Sequence, residues 1–128
     1  MSQEVNTLFQ YNGVEYEFDV RDADASEKFE DAVEKMQAEE IAMPKAGKTS
    51  ELIRAHCKLI KDFFDRVLGD GAGNAVCSEK NNISLCYGAY EAFLEVVRSQ
   101  KDDILRAKNT FSKYSNRQQR RAAKKNNG

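Results

Sequence analysis

The chain begins with a period-two alternation of apolar and polar residues and continues with three segments of helical spacing. Residues 7–19 hold two strand-forming stretches separated by Asn12-Gly13. Asn-Gly is the strongest two-residue hairpin signal, because a type I′ turn needs positive φ at both central positions. Apolar and acidic side chains alternate along the second stretch, so one face is buried and the other solvated. A lone hairpin is marginal in water, so we expect this one to pack on helices.

The three helical segments are predicted at about residues 24–41, 50–68 and 82–111. The first carries a narrow apolar stripe on an acidic helix, with Asp24 or Ser26 as its N-cap. The second has the widest apolar face, begins at a Thr49 or Ser50 cap and ends at Gly69. In the third, apolar residues recur every seventh position, which keeps one seam towards a partner helix. The seam residues are Ile83, Tyr90, Val97, Ile104 and Phe111.

The second half of the third helix is predicted to leave the folded body. After Val97 the positions between seam residues become Gln100, Lys101 and Lys108, so the apolar stripe is thin. Residues 70–74 are predicted as a tight, irregular loop and residues 75–77 as a short turn, after which residues 78–82 lead into the third helix. The predicted fold class is α+β, mainly α: a single domain over residues 1–112, with an N-terminal hairpin packed on three helices. Residues 113–128 lack apolar anchors and are predicted to form a flexible basic tail.

Length and composition indicate where in the cell the protein is expected to act. The 128 residues suit one domain, and no apolar run exceeds four residues, against about 20 needed to cross a bilayer. The first residues lack the basic and apolar regions of a signal peptide. The three cysteines are odd in number and widely spaced, which favours reduced thiols. We therefore expect a cytoplasmic protein with no membrane association.

Charge is distributed unevenly along the chain. Residues 1–50 carry 12 acids and 5 bases, whereas residues 101–128 carry 2 acids and 9 bases. A basic C-terminal segment either binds an acidic partner or keeps the end of a helix soluble. Helical spacing would gather most of its bases on one face, where they could neutralise phosphates. These bases are Arg117, Arg120, Arg121, Lys124 and Lys125. Nucleic acid is the less favoured partner, because the net charge is only −1 and no aromatic platform accompanies the bases.

No motif indicates catalysis, a cofactor or a metal. Gly47-Lys48-Thr49 ends like a phosphate-binding loop, but Ala42 replaces its first glycine and a helix precedes it. Residues 70–74 begin like a calcium loop, yet later ligand positions are wrong and turn chemistry explains them better. His56 adjoins Cys57 on one helix, so the two cannot form a nucleophile and base pair across one face. The cysteines lack zinc-ligand spacing. We predict a protein that is not an enzyme.

Four stretches carry a family resemblance: residues 60–71, 72–77, 81–93 and 116–122. They begin with Ile60-Lys61-Asp62-Phe63-Phe64, continue through Ala72-Gly73-Asn74 and Asn82-Ile83-Ser84, and close with Asn116-Arg117-Gln118-Gln119-Arg120-Arg121-Ala122. Together they resemble small proteins encoded in the tail-gene region of phages and prophages of Gram-positive bacteria, which include tail assembly chaperones.

The resemblance implies a mostly helical, non-enzymatic protein that acts in the bacterial host cytoplasm. Such a chaperone holds the tape measure protein soluble while the tail tube polymerises around it, so the implied partners are the tape measure and tail tube proteins. The apolar seam, coiled-coil-like at Val97, Ile104 and Phe111, and the basic tail are the hypothesised contact sites. Two alternatives stay open: packing of Ile104 and Phe111 within a monomer or homo-oligomer, and a small nucleic-acid-binding or packaging-associated protein acting through the tail.

Overall fold

A computed structural model describes the backbone of residues 5–126 and the side chains of residues 5–121. Strands β1 (Leu8–Tyr11) and β2 (Val14–Glu17) form an antiparallel hairpin in which Phe9 faces Tyr16. The turn residues Asn12 and Gly13 have φ of 52° and 79°, as the predicted turn requires. The predicted hairpin and its buried face are confirmed.

Two antiparallel long helices follow the hairpin. Helix α1 spans Ala23–Ala42, and its N-cap is Asp22, whose carboxylate accepts a hydrogen bond from the Ala25 amide at 3.1 Å. Both predicted caps, Asp24 and Ser26, were wrong, because Asp22 already has the extended backbone that a cap needs. Helix α2 spans Thr49–Leu68, with Lys48 as its N-cap and no side-chain hydrogen bond there. Gly69 ends it with a φ of 110°, as predicted.

Residues 72–77 form a short helix rather than the predicted loop and turn. Helix α3 (Ala72–Cys77) starts directly after Gly71, and the Asp65 carboxylate accepts a hydrogen bond from the Gly73 amide at 2.7 Å. A Cβ at residue 73 would lie 2.7 Å from the Cα of Lys61, so only glycine allows α3 to approach α2 this closely. The described residues therefore form four helices, one more than predicted.

Helix α4 runs from Ile83 to Asn126, 44 residues or about 66 Å. Asn82 opens it, since its side-chain oxygen accepts from the amides of Ser84 and Leu85 at 3.0 and 3.2 Å. The predicted end near residue 111 and the predicted flexible tail were wrong for residues 113–126, whose backbone is helical. No glycine or proline interrupts residues 89–127, and Ala, Arg, Lys and Gln favour helix. The last two tail positions, 127 and 128, lie outside the described residues.

Six phenylalanines build the centre of the core. Phe93 of α4 lies at the middle, with ring centroids of five others 5.2–6.1 Å away, most of them at steep interplanar angles. Edge-to-face pairs of this kind stabilise beyond simple area burial. The five neighbours come from the hairpin, α1 and α2: Phe9, Phe18, Phe29, Phe63 and Phe64. The first half of α4 is thus the element on which hairpin and helices meet.

Candidate functional site

The folded body, which comprises residues 5–103, ends at one polar layer of α4. Gln100 is fully buried: its Oε1 accepts from the Val20 amide at 2.8 Å, and its Nε2 donates to the carbonyls of Phe18 and Asn6 at 2.7 and 2.8 Å. Gln100 was predicted to lie on the thin, projecting part of the helix, and this prediction was wrong. The side-chain amide of Gln100 thus gives these backbone groups the hydrogen bonds that a neighbouring β-strand would otherwise provide.

Two further contacts surround this layer. The Lys101 ammonium lies 5.2 Å from the centroid of the Phe29 ring, and the Arg21 guanidinium donates to Asp103 at 3.1 Å. The same guanidinium pairs with Asp19, and this pairing holds the pKa of the Asp19 carboxyl below its ordinary value. These contacts fix the direction in which α4 leaves the body.

Residues 104–126 of α4 form a segment that we call the arm. From Leu105 to Arg121 the side chains are exposed, except for a half-buried Ser115. Three large apolar side chains are among them: Leu105 is 55%, Phe111 74% and Tyr114 64% exposed. Large apolar groups left in water on one element mark an interaction surface more often than singly scattered ones do.

The arm has two different long faces. At about 100° per residue, Ile104, Ala107, Phe111 and Tyr114 fall within about 80° of one another. We call this set the apolar stripe. The side of the helix opposite to it carries a basic stripe, and no acidic residue occurs after Asp103. The basic stripe comprises Arg106, Lys113, Arg117 and Arg120.

The hypothesised partner-binding residues have different environments in the structure. Val97 is 3% exposed and packs in the core, so its assignment to partner binding was wrong. Ile104 is half-buried at the base of the arm, and Phe111 is exposed. The basic residues with described side chains are also exposed: Arg117, Arg120 and Arg121. The side chains of Lys124 and Lys125 lie outside the described residues, although their backbone is helical.

Leu105 and Tyr114 were not singled out from the sequence. Tyr114 was assigned to the flexible tail, yet it lies three residues after Phe111 and joins the same stripe once the helix continues. The signal that identifies it is the absence of helix-breaking residues between Phe111 and Asn126.

The other candidate motifs have structural roles. Lys48 and Thr49 begin α2 after a connector, and a helix precedes them instead of a strand. His56 is half-buried, with its Nδ1 2.9 Å from the Tyr87 hydroxyl. Lys61 donates to the carbonyl of Lys80 at 3.0 Å and to the side-chain oxygen of Asn81 at 3.2 Å. This lysine closes the loop between α3 and α4.

The three cysteines meet in the core although they are far apart in sequence. Cys57, Cys77 and Cys86 are each buried and free, and Cys86 interacts electrostatically with both others. Burial raises the pKa of the Cys57 thiol to about 11, and the contact with Cys86 adds to this. Thiols held protonated in this way are poor nucleophiles and behave as small apolar side chains. Among residues 5–126, no group of three His, Cys, Asp or Glu side chains is arranged to hold a metal ion.

Comparison with known proteins gives a family but no activity. No curated protein and no solved structure matches the chain. No helix within the described part of the chain is both long and apolar enough to span a bilayer. The family of unknown function DUF6673 matches residues 12–124, which include the hairpin turn, most of the core and nearly all of the arm, and the chain belongs to that family.

Proposed function

We propose that this DUF6673 chain acts by binding, as a tail assembly chaperone that presents its arm to the tape measure protein or tail tube protein of a phage or prophage. The observation that carries the proposal is the apolar stripe, which continues the heptad seam of α4 beyond the last packed layer at Gln100. Within the body the seam packs against the core at Val97, and along the arm it is exposed at Phe111.

A helical partner suits this surface. An amphipathic helix binds another helix through apolar residues spaced three, four and seven apart, and the stripe has this spacing from Ile104 to Tyr114. Phe111 and Tyr114 are large anchors of the type that dominates binding energy at interfaces. A tape measure protein is long and helical, so it offers many equivalent sites, and weak contacts made repeatedly along it would hold it in solution.

We propose that the protein acts in the cytoplasm of the bacterial host and that it catalyses no reaction. The arm is well separated from the core, so partner binding and folding depend on different residues. Phe111 and Tyr114 are free to make intermolecular contacts, whereas Val97 is already packed against the body.

The double variant Phe111→Ser/Tyr114→Ser tests the proposal. We expect it to weaken co-purification with the tape measure protein of the same phage or prophage at least about tenfold, because two interface anchors are lost. The melting temperature is expected to stay unchanged, since both side chains are exposed. Co-expression followed by size-exclusion chromatography measures the complex.

The matched control is Ile41→Ser/Leu85→Ser, which removes two exposed apolar side chains away from the arm. We expect this control to bind like the original chain. Binding that persists in the arm variant would contradict the proposal. Raising the salt concentration distinguishes the proposal from the alternative of nucleic-acid binding. A nucleic-acid complex made by the bases of the arm would dissociate as the salt concentration rises, whereas an apolar helix contact would persist.

A further inference from the structure

Three of the four residues of the basic stripe make no ion pair with any described side chain. Arg106 contacts Asp103 at 3.9 Å, but Lys113, Arg117 and Arg120 make no ion pair within the described residues 5–121. Unpaired like charges along one helix face repel one another, and an anionic surface would relieve that repulsion.

A complementary acidic stripe lies on α1. Asp24, Glu27, Asp31 and Glu34 are spaced three, four and three residues apart, so they share one face, and all four are exposed. None of them makes an ion pair among the described residues. Helix α1 as a whole contains seven acids and two bases. The molecule therefore presents two exposed helical stripes of opposite charge.

The two stripes cannot meet within one chain. The contacts of Lys101 with Phe29 and of Arg21 with Asp103 place the start of α1 beside the point where the arm leaves the body. At the other end of α1, Glu39 pairs with Arg66 on the body. Since α4 is one continuous helix, the arm extends away from the body while α1 runs back along it.

We propose that the basic stripe of one copy docks on the acidic stripe of α1 in a second copy. A two-fold axis at the junction near Asp103 would lay each arm along the other copy's α1, so both stripes of both copies are used. The two stripes are of similar length, since residues 106–120 extend for about 21 Å and residues 24–34 for about 15 Å. The apolar stripe lies on another side of the arm, so this pairing is independent of the proposed helical partner.

Charge reversal tests the pairing. We compare the full chain with an arm variant, Lys113→Glu/Arg117→Glu/Arg120→Glu, and a body variant, Glu27→Lys/Asp31→Lys/Glu34→Lys. Sedimentation velocity gives the mass at about 20 mM and about 500 mM NaCl, where screening lengths differ several-fold. We expect the original chain to be dimeric at low salt and monomeric at high salt. Each variant alone should be monomeric at low salt, because its stripes then carry like charges.

Mixing the two variants provides the decisive test. The acidic arm of one variant faces the basic α1 of the other, and the reverse holds too, so an equimolar mixture should form heterodimers at low salt. The control Lys45→Glu/Lys48→Glu/Lys80→Glu makes the same change in net charge at exposed sites off the arm and should still dimerise.

Three results would overturn the proposal: a monomeric original chain at low salt, a mixture of the two variants that stays monomeric, or a basic stripe found occupied by co-purified nucleic acid that high salt removes. Circular dichroism melting of each variant verifies that the exposed substitutions leave the fold intact. For a variant that unfolds, the milder pair Arg117→Gln/Arg120→Gln is used, with a loss of dimer affinity of at least about fivefold expected.

Discussion

We expect Phe93→Ala to lower the free energy of unfolding by about 3–5 kcal/mol, the range for truncating a large buried aromatic side chain. Phe93 is fully buried and is the one ring that contacts the hairpin, α1 and α2 together. Its removal leaves a cavity between three elements that cannot all move inward at once. Urea denaturation followed by far-UV circular dichroism measures the loss.

The same helix supplies a matched control for this substitution. Phe111 is 74% exposed, so Phe111→Ala should change stability by no more than about 0.5 kcal/mol. Phe93→Leu retains much of the volume and should fall between the two, which keeps the comparison informative if the alanine variant does not fold. Equal effects of the two alanine substitutions would contradict the described core and the described exposure of the arm.

We expect Gln100→Met to destabilise the protein by about 3 kcal/mol, although methionine has a similar volume and is apolar. The substitution removes three hydrogen bonds and leaves the buried Val20 amide and Phe18 carbonyl without partners, at about 1–3 kcal/mol for each unsatisfied group. Because these groups belong to the chain between β2 and α1, the hairpin should also detach from α4. Hydrogen exchange of the Val20 amide reports this detachment directly.

Gln119→Met is the corresponding control, since Gln119 is exposed on the arm of the same helix. Its effect should stay within about 0.5 kcal/mol. Were Gln100→Met as stable as the original chain, the amide of Gln100 would not be what joins the hairpin to α4.

The sequence predicts those parts of the fold that local chemistry decides. Asn12-Gly13 specifies the hairpin turn, and alternation along β2 identifies the buried face. Helix α2 was placed within one residue, because its apolar face is wide and Gly69 ends it. These features depend on neighbours in sequence, so they can be recognised without knowledge of the tertiary structure.

Features decided by distant contacts could not be predicted in this way. Helix α3 exists because Gly73 allows it to lie against Lys61 and because Asp65 accepts from its first turn. Because Gln100 is polar, the sequence predicts that it is exposed. Its hydrogen-bond partners are backbone groups about 80 residues away in sequence, which the local pattern does not indicate. The meeting of the three cysteines is likewise a consequence of how α2, α3 and α4 pack.

The candidate site was predicted in part. The seven-residue period identified Ile104 and Phe111, and the charge distribution identified the basic end of the chain. Helical spacing indicated one basic face, but the continuation of the apolar stripe to Tyr114 was missed, because it requires α4 to continue through residues that were assigned to a flexible tail. Val97 fits the same period as Phe111, and only packing distinguishes the buried residue from the exposed one.

The proposed function requires that the arm, and not the body, contacts the helical partner. Hydrogen exchange with mass spectrometry, on the chain alone and in its co-purified complex with the tape measure protein, locates this contact. We expect amides of residues 104–121 to become protected in the complex, while those around Phe93 exchange as before. Unchanged exchange along the arm, together with new protection on the body, would contradict it.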